Sequence, residues 1–259
     1  MRSALGWLGD AVPAWFSIEE LGGQVLVGRA RLPKAPWGDG LHLRIFGDTK
    51  PKVCEMVPGT DLPARCPERH VQFDKTFCLG LRYLTVRSVS DAENWWTQLY
   101  QFILCQIVAE RTRVWPPNHA LDHGDAGEHH ERALKLASEA GLEGEYAAAR
   151  LGEPSWITDP KLHLYDRKGD PINGRAPCPR GCLRRARGRV VRTLRTDCDK
   201  RALVVQLSHA ESKRRVALEE YWQHVIAEGV PCCRTMRDCR LAEREDEAAR
   251  NAKEGDDVF

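Results

Sequence analysis

Cysteine is the residue most able to do chemistry in this chain. Ten are present, and Cys78 sits in an irregular stretch, ARCPERHVQFDKTFCLGL, between a predicted strand meander and a long apolar helix. A thiolate is a strong nucleophile near neutral pH and can hold an acyl group as a thioester until an amine attacks it. Cys54, Cys66 and Cys105 lack a comparable setting and read as structural, because a free cysteine is most often a small buried hydrophobe. His119, Asp122 and His123 fall in a polar loop, NHALDHGDAG. Cysteine hydrolysis stays open beside acyl transfer, but it requires a base positioned on the thiol.

A second group of cysteines lies toward the C-terminal end. Cys178 and Cys182 enclose Pro-Arg-Gly, a spacing that turns two sulfurs toward one ion, and Cys232, Cys233 and Cys239 follow an intervening helix. Cys198 is a further candidate ligand. Tetrahedral structural zinc is the leading expectation, since a segment with a single amphipathic helix gains much of its stability from an ion. Unmetallated thiols and a redox role are the alternatives. Between Arg175 and Arg215 thirteen Lys or Arg stand against three acidic residues, in a chain whose net charge is only +2. Such a stretch binds phosphates or an acidic protein, or is a solvated face.

The elements that must position these residues are legible in outline. Residues 4–21 predict a helix divided at Pro13, and Val25, Val27, Leu41, Leu43 and Ile45 alternate as strands around a turn at Pro36–Gly40. A third strand is expected over Pro51–Val57. Ser90 with Glu93 reads as a capping box opening a helix to about Arg113, with Trp96, Leu99, Ile103 and Ile107 inward. One or two helices follow over Glu128–Ala149. Residues 151–174 read as a linker with an extended piece at Leu162 and Leu164. A strand is expected at Ala202–Leu207 and a helix over Ser212–Glu228, before a charged tail at 242–259.

The order helix, meander, irregular segment with cysteine, central helix resembles the ubiquitin-conjugating enzyme superfamily. Phe77-Cys78-Leu79 resembles its active cysteine, Trp95 or Trp96 a tryptophan common downstream, and the loop Leu121–Gly127 its bacterial branch with a cysteine-rich region. The resemblance implies an α+β UBC-like fold over 1–150 and a small cysteine-rich unit at 175–241. Glu68, Arg69 and His70 occupy the register of the family's His-Pro-Asn, so His70 stands where an Asn would stabilise the oxyanion, with Gln72 two residues on. Asp122, beside His123, takes the place of the acidic residue that orients an attacking lysine. The implied partners are a ubiquitin-like protein, an activating enzyme and a protein substrate, with no organic cofactor. A silent interaction module and a zinc-dependent nucleic-acid binder remain alternatives. Asp10 and Pro13 interrupt any signal-peptide core, which points to the cytoplasm, and no apolar run approaches a membrane span.

Overall fold

Leu41, Leu43 and Ile45 project to one side of a strand and are fully buried, whereas Arg44 between them is exposed. In the computed structural model, which describes residues 2–80, 84–120, 122–163, 184–186, 189–191, 198–237 and 239–247, this strand is β3 (Leu41–Phe46). It forms an antiparallel meander with β1 (Phe16–Leu21), β2 (Val25–Ala30) and β4 (Lys52–Glu55), in the order β1-β2-β3-β4. Ile45 pairs with Leu26 on one side and Val53 on the other, and all three are fully buried. Each such side chain contributes roughly 1.5–3 kcal/mol. Gly28 permits the close approach of β1 and β2, because a Cβ there would lie 2.3 Å from the Ser17 carbonyl oxygen.

The N-terminal helix is shorter than the sequence predicts. Helix α1 (Ala4–Asp10) is capped by Ser3, whose Oγ accepts the Gly6 N–H at 3.1 Å, and it stops ahead of Pro13. Residues 16–21 pair with β2 as β1 instead of continuing the helix. The central helix α2 (Val89–Thr112) opens at Ser88, two residues before the expected cap. Ser88 Oγ accepts the Asp91 N–H at 3.2 Å, and the Asp91 carboxylate accepts the Arg87 N–H at 2.9 Å, so Ser88 and Asp91 play the reciprocal parts expected of Ser90 and Glu93. Buried indoles fix α2 in place. Trp95 Nε1 donates to the Pro51 carbonyl at 3.1 Å, and Trp96 Nε1 donates to the Leu8 carbonyl at 3.0 Å.

Two compact units emerge: Met1–Ala120 with Glu228–Phe259, and Leu121–Ala227. The boundary therefore falls earlier than residue 150, and the chain returns to the first unit at its C-terminal end. There Arg237 N–H donates to the Arg113 carbonyl at 2.8 Å, and Arg113 Nη2 donates to the Arg234 carbonyl at 2.9 Å. A further helix, α6, occupies 240–247, in a segment expected to be partly charged tail.

The second unit holds α3 (Asp125–Ala140), α4 (Glu143–Arg150), a hairpin of β5 (Arg184–Ala186) and β6 (Arg189–Val191), and α5 (Arg201–Ala227). The expected strand at Ala202–Leu207 is the first part of α5. Val204, Leu207, Ser208 and Glu211 are buried at helical spacing, and a short apolar run cannot by itself separate a strand from a buried helix. Ile157 and Leu162, in 3-10 turns, are buried in the core that α3, α4 and α5 share, so these two positions of the expected linker are packed structure. Leu164 and the rest of that linker lie outside the described residues. No helix among the described residues is long and apolar enough to cross a membrane.

Candidate active site and cysteine cluster

A short 3-10 turn, Pro67–Arg69, ends at His70 in the left-handed region (φ 55°) and reverses the chain. Bridges between Cys66 and Val71 and between Val71 and Phe77 then fold the segment on itself. Phe77 N–H donates to the Val53 carbonyl of β4 at 2.8 Å, and its ring stacks on Phe102 of α2 at 4.6 Å. Arg69 locks the turn to α2: its Nε donates to Gln106 Oε1 at 2.8 Å, and Gln106 Nε2 returns a bond to the Arg69 carbonyl at 2.7 Å. Both side chains are buried, and Arg69 Nη1 also pairs with Glu110 at 2.9 Å. Cys78 is thus presented by a frame anchored to both strand and helix.

The Cys78 thiol is half-buried and lines a small cleft with Gln72, Gly80, Leu84, Trp95 and Gln98 among its walls. Burial pushes the thiol above its ordinary value, opposed by hydrogen bonds from the Gly80 backbone and the Gln72 side chain that favour the thiolate. Thr76 Oγ1 donates to Asp74 Oδ1 at 2.5 Å and lies 3.1 Å from Gln72 Oε1, which sets the hydroxyl against the Gln72 carboxamide. Donors that hold a thiolate also suit the oxyanion formed when an acyl carbonyl on that sulfur is attacked.

His70 meets Cys78 through its backbone, its carbonyl accepting the Cys78 N–H at 2.8 Å. Its ring is buried and lies 4.7 Å from the Trp115 ring. Sequence reasoning did not single out Arg69, Gln106, Thr76 or Gly80. Gly80 was findable, as a glycine two residues beyond the nucleophile; the others acquire meaning only from contacts across the chain.

Asp122 and His123 belong to the second unit. The Asp122 carboxylate receives Arg214 Nη1 at 2.9 Å and lies 3.1 Å from His130 Nδ1, while Arg214 also chelates Glu211. Tyr146 donates its hydroxyl to Glu211 at 3.1 Å. Burial alone would raise the Asp122 pKa, but His130 and Arg214 hold it down to about 2. His123 stacks on Tyr221 at 4.9 Å, and burial lowers its pKa to about 4, so it is neutral at pH 7. Arg214, counted in the basic stretch, is therefore committed to an internal ion network.

The depressed Asp122 value fixes a pH dependence. Its contribution, about 2 kcal/mol, is complete above the ordinary carboxylate value of 3.8 and is lost as pH falls through about 2. Asp122→Ala is expected to cost about 3 kcal/mol at pH 7, because it removes one partner of a buried network. Thermal unfolding of the variant and wild type from pH 7 to 2 checks both, the difference shrinking in acid. An equal difference at every pH would remove the ionic contribution.

The expected zinc ligands fall in different parts of the structure. Cys178 and Cys182 lie outside the described residues. Cys198 is in the second unit, its thiol 3.7 Å from Asp199 Oδ1, whereas Cys232, Cys233 and Cys239 are in the first. There they meet Cys66, read from sequence as merely structural: the Cys233 and Cys66 sulfurs are 3.0 Å apart. Four zinc-bound thiolates at about 2.3 Å from a tetrahedral ion are about 3.8 Å apart, so this pair is too close to be an edge of such a site. Among the described residues no group of three or more His, Cys, Asp or Glu side chains is placed to hold a metal ion. The hydrogen bond shared with Cys66 lowers the Cys233 pKa to about 5 despite burial, with Thr235 and the Arg69 charge assisting. Cys66 is correspondingly raised by that bond and by its burial.

Residues 15–117 match the family model described as the prokaryotic E2 domain, and residues 122–241 match that of a cysteine-rich domain C-terminal to the E2 domain. The pair is consistent with a bacterial E2-like protein carrying a cysteine-rich region. No curated protein and no solved structure matches the chain.

Proposed function

We propose that this chain is a ubiquitin-conjugating-type enzyme of the bacterial cytoplasm that carries a ubiquitin-like protein as a thioester on Cys78 and passes it to an amine. The match of residues 15–117 to an E2 domain supports the class. The observation that carries the assignment is the Cys78 thiol in its cleft, with the Gln72 carboxamide and the Gly80 backbone hydrogen-bonded to the sulfur. An activating enzyme supplies the acyl group at the expense of ATP. Cys78 thiolate attacks the thioester carbonyl of the charged activating enzyme, whose thiolate departs, and an amine, such as a lysine of a target, later displaces Cys78 in the same way. Each addition places negative charge on the carbonyl oxygen, where the Gln72 carboxamide would donate. Asp122 remains a proposed amine-orienting residue. The test is incubation with ATP, the activating enzyme and the ubiquitin-like partner, followed by a non-reducing gel. A thiol-sensitive adduct is expected, and its absence with the activated partner would leave the interaction-module reading.

The ten cysteines and the cysteine-rich match are compatible with structural zinc. The spacing of Cys178 and Cys182 makes them the proposed zinc ligands to test first, with about one ion per chain expected in elemental analysis of protein purified without added metal. Joint replacement of Cys178 and Cys182 by serine is expected to abolish it; undiminished zinc would take both out of the ligand set.

A further inference from the structure

The cysteines of the first unit are arranged for a chemistry separate from Cys78. We propose that Cys66 and Cys233 form a peroxide-sensitive dithiol pair, with Cys233 the residue attacked and Cys66 the resolving thiol. Their sulfurs, 3.0 Å apart across a sequence separation of 167 residues, need to move by about 1 Å to reach the disulfide bond length of about 2.05 Å. Their exposures differ in the sense the roles require. Cys233 is half-buried and open to a small oxidant, whereas Cys66 is buried behind it at 2% exposure.

The surroundings favour charge on Cys233. Thr235 Oγ1 lies 3.1 Å from its sulfur, and the charge of Arg69 acts on it. Arg69 is 1% exposed, and its Nη2 is buried with no hydrogen-bond partner among the described residues. The Glu68 carboxylate opposes this, and Cys232 and Cys239 interact with each other. A thiolate held by a cation and a hydroxyl is the form that attacks a peroxide oxygen.

The steps balance as follows. The Cys233 thiolate attacks one oxygen of hydrogen peroxide, the O–O bond breaks, and the leaving hydroxide takes a proton to become water, giving Cys233 sulfenic acid. Cys66 then loses its proton and attacks the Cys233 sulfur, forming the S–S bond and expelling the hydroxyl as a second water. The sulfurs together lose two electrons, both accepted by the peroxide, and a dithiol reductant returns them. Because Cys66 is bridged to Val71, and Val71 to Phe77, the new bond staples the C-terminal segment to the frame that presents Cys78.

The test uses the full chain, reduced, freed of reductant and given about one equivalent of hydrogen peroxide before alkylation and peptide mapping by mass spectrometry. The first linkage expected is Cys66–Cys233, reversible by dithiothreitol, lost in Cys66→Ser and in Cys233→Ser, and retained in Cys232→Ser. A sulfenic acid trapped on Cys233 in Cys66→Ser supports the order of attack. A first linkage joining Cys232 to Cys239, or one containing Cys78, overturns the proposal. So does zinc in the purified wild type that Cys66→Ser or Cys233→Ser releases, since that would make the pair metal ligands. None of these readouts requires Cys78 to be charged, so the outcome is independent of the conjugation assay.

Discussion

Cys78→Ala is expected to lose the thiol-sensitive adduct completely, because among the described residues Cys78 is the thiol that lines the cleft with Gln72 and Gly80. Cys54→Ala and Cys105→Ala are expected to keep it: both thiols are buried and are raised above the ordinary value by that burial. Cys78→Ser separates the identity of the nucleophile from the shape of the site. An acyl group transferred to that hydroxyl becomes an oxyester, so any adduct formed should be slower to appear and resistant to thiols. Because the Cys78 thiol is raised, its thiolate fraction grows as pH rises beyond the usual cysteine value of about 8.5, and the charging rate should climb with it. Gel assays of wild type and the four variants over that pH range measure both effects. An adduct that survives Cys78→Ala and disappears with another cysteine would move the carrier elsewhere.

The parts of this arrangement visible in the sequence are those encoded by local periodicity. Leu41, Leu43 and Ile45 announced β3, and Trp96, Leu99 and Ile103 announced α2, because burying one face leaves period two in strands and about 3.6 in helices. Cys78 was legible from its place in that order. Less visible was whatever depends on long-range pairing. Phe16 and Ile18 fit an amphipathic helix as well as a strand until β2 is beside them. The run from Ala202 to Leu207 is a short apolar stretch with Val204 and Val205 at its centre, and the packing of Val204 and Leu207 makes it helix. Cys66 carries no local signal at all: its partner is Cys233, and the return of the chain that brings them together is built from contacts such as Arg237 with Arg113. The candidate oxyanion position was legible as two alternatives, His70 and Gln72. The left-handed turn at His70 comes from the chain reversal and has no signature in local periodicity.

Gln72→Ala is expected to slow amine discharge of the charged enzyme by about 10²–10³-fold, the usual loss for one donor to a developing oxyanion. The thioester should still form. Its own formation passes through a similar tetrahedral species, so charging slows too, but a long incubation reaches the same extent. An oxyanion donor stabilises the intermediate whatever nucleophile attacks, so the variant should lose the same factor with lysine and with hydroxylamine. A residue that orients or deprotonates the amine affects lysine more, because hydroxylamine is nucleophilic without help; this is the pattern that Asp122→Ala must show to keep its proposed role. Thr76→Val tests how Gln72 is held: it removes the hydroxyl that lies 3.1 Å from Gln72 Oε1 while leaving the amide in place, so a smaller loss of the same kind is expected. His70→Ala offers the contrast. The carbonyl that accepts the Cys78 N–H at 2.8 Å survives the substitution, whereas the buried ring against Trp115 does not. The expected cost is about 1–3 kcal/mol of stability, with discharge slowed far less than in Gln72→Ala. Single-turnover discharge of pre-charged protein, with thermal unfolding of each variant, measures all of these. If His70→Ala slowed both nucleophiles by the larger factor and Gln72→Ala by little, the oxyanion donor would be reassigned to the imidazole.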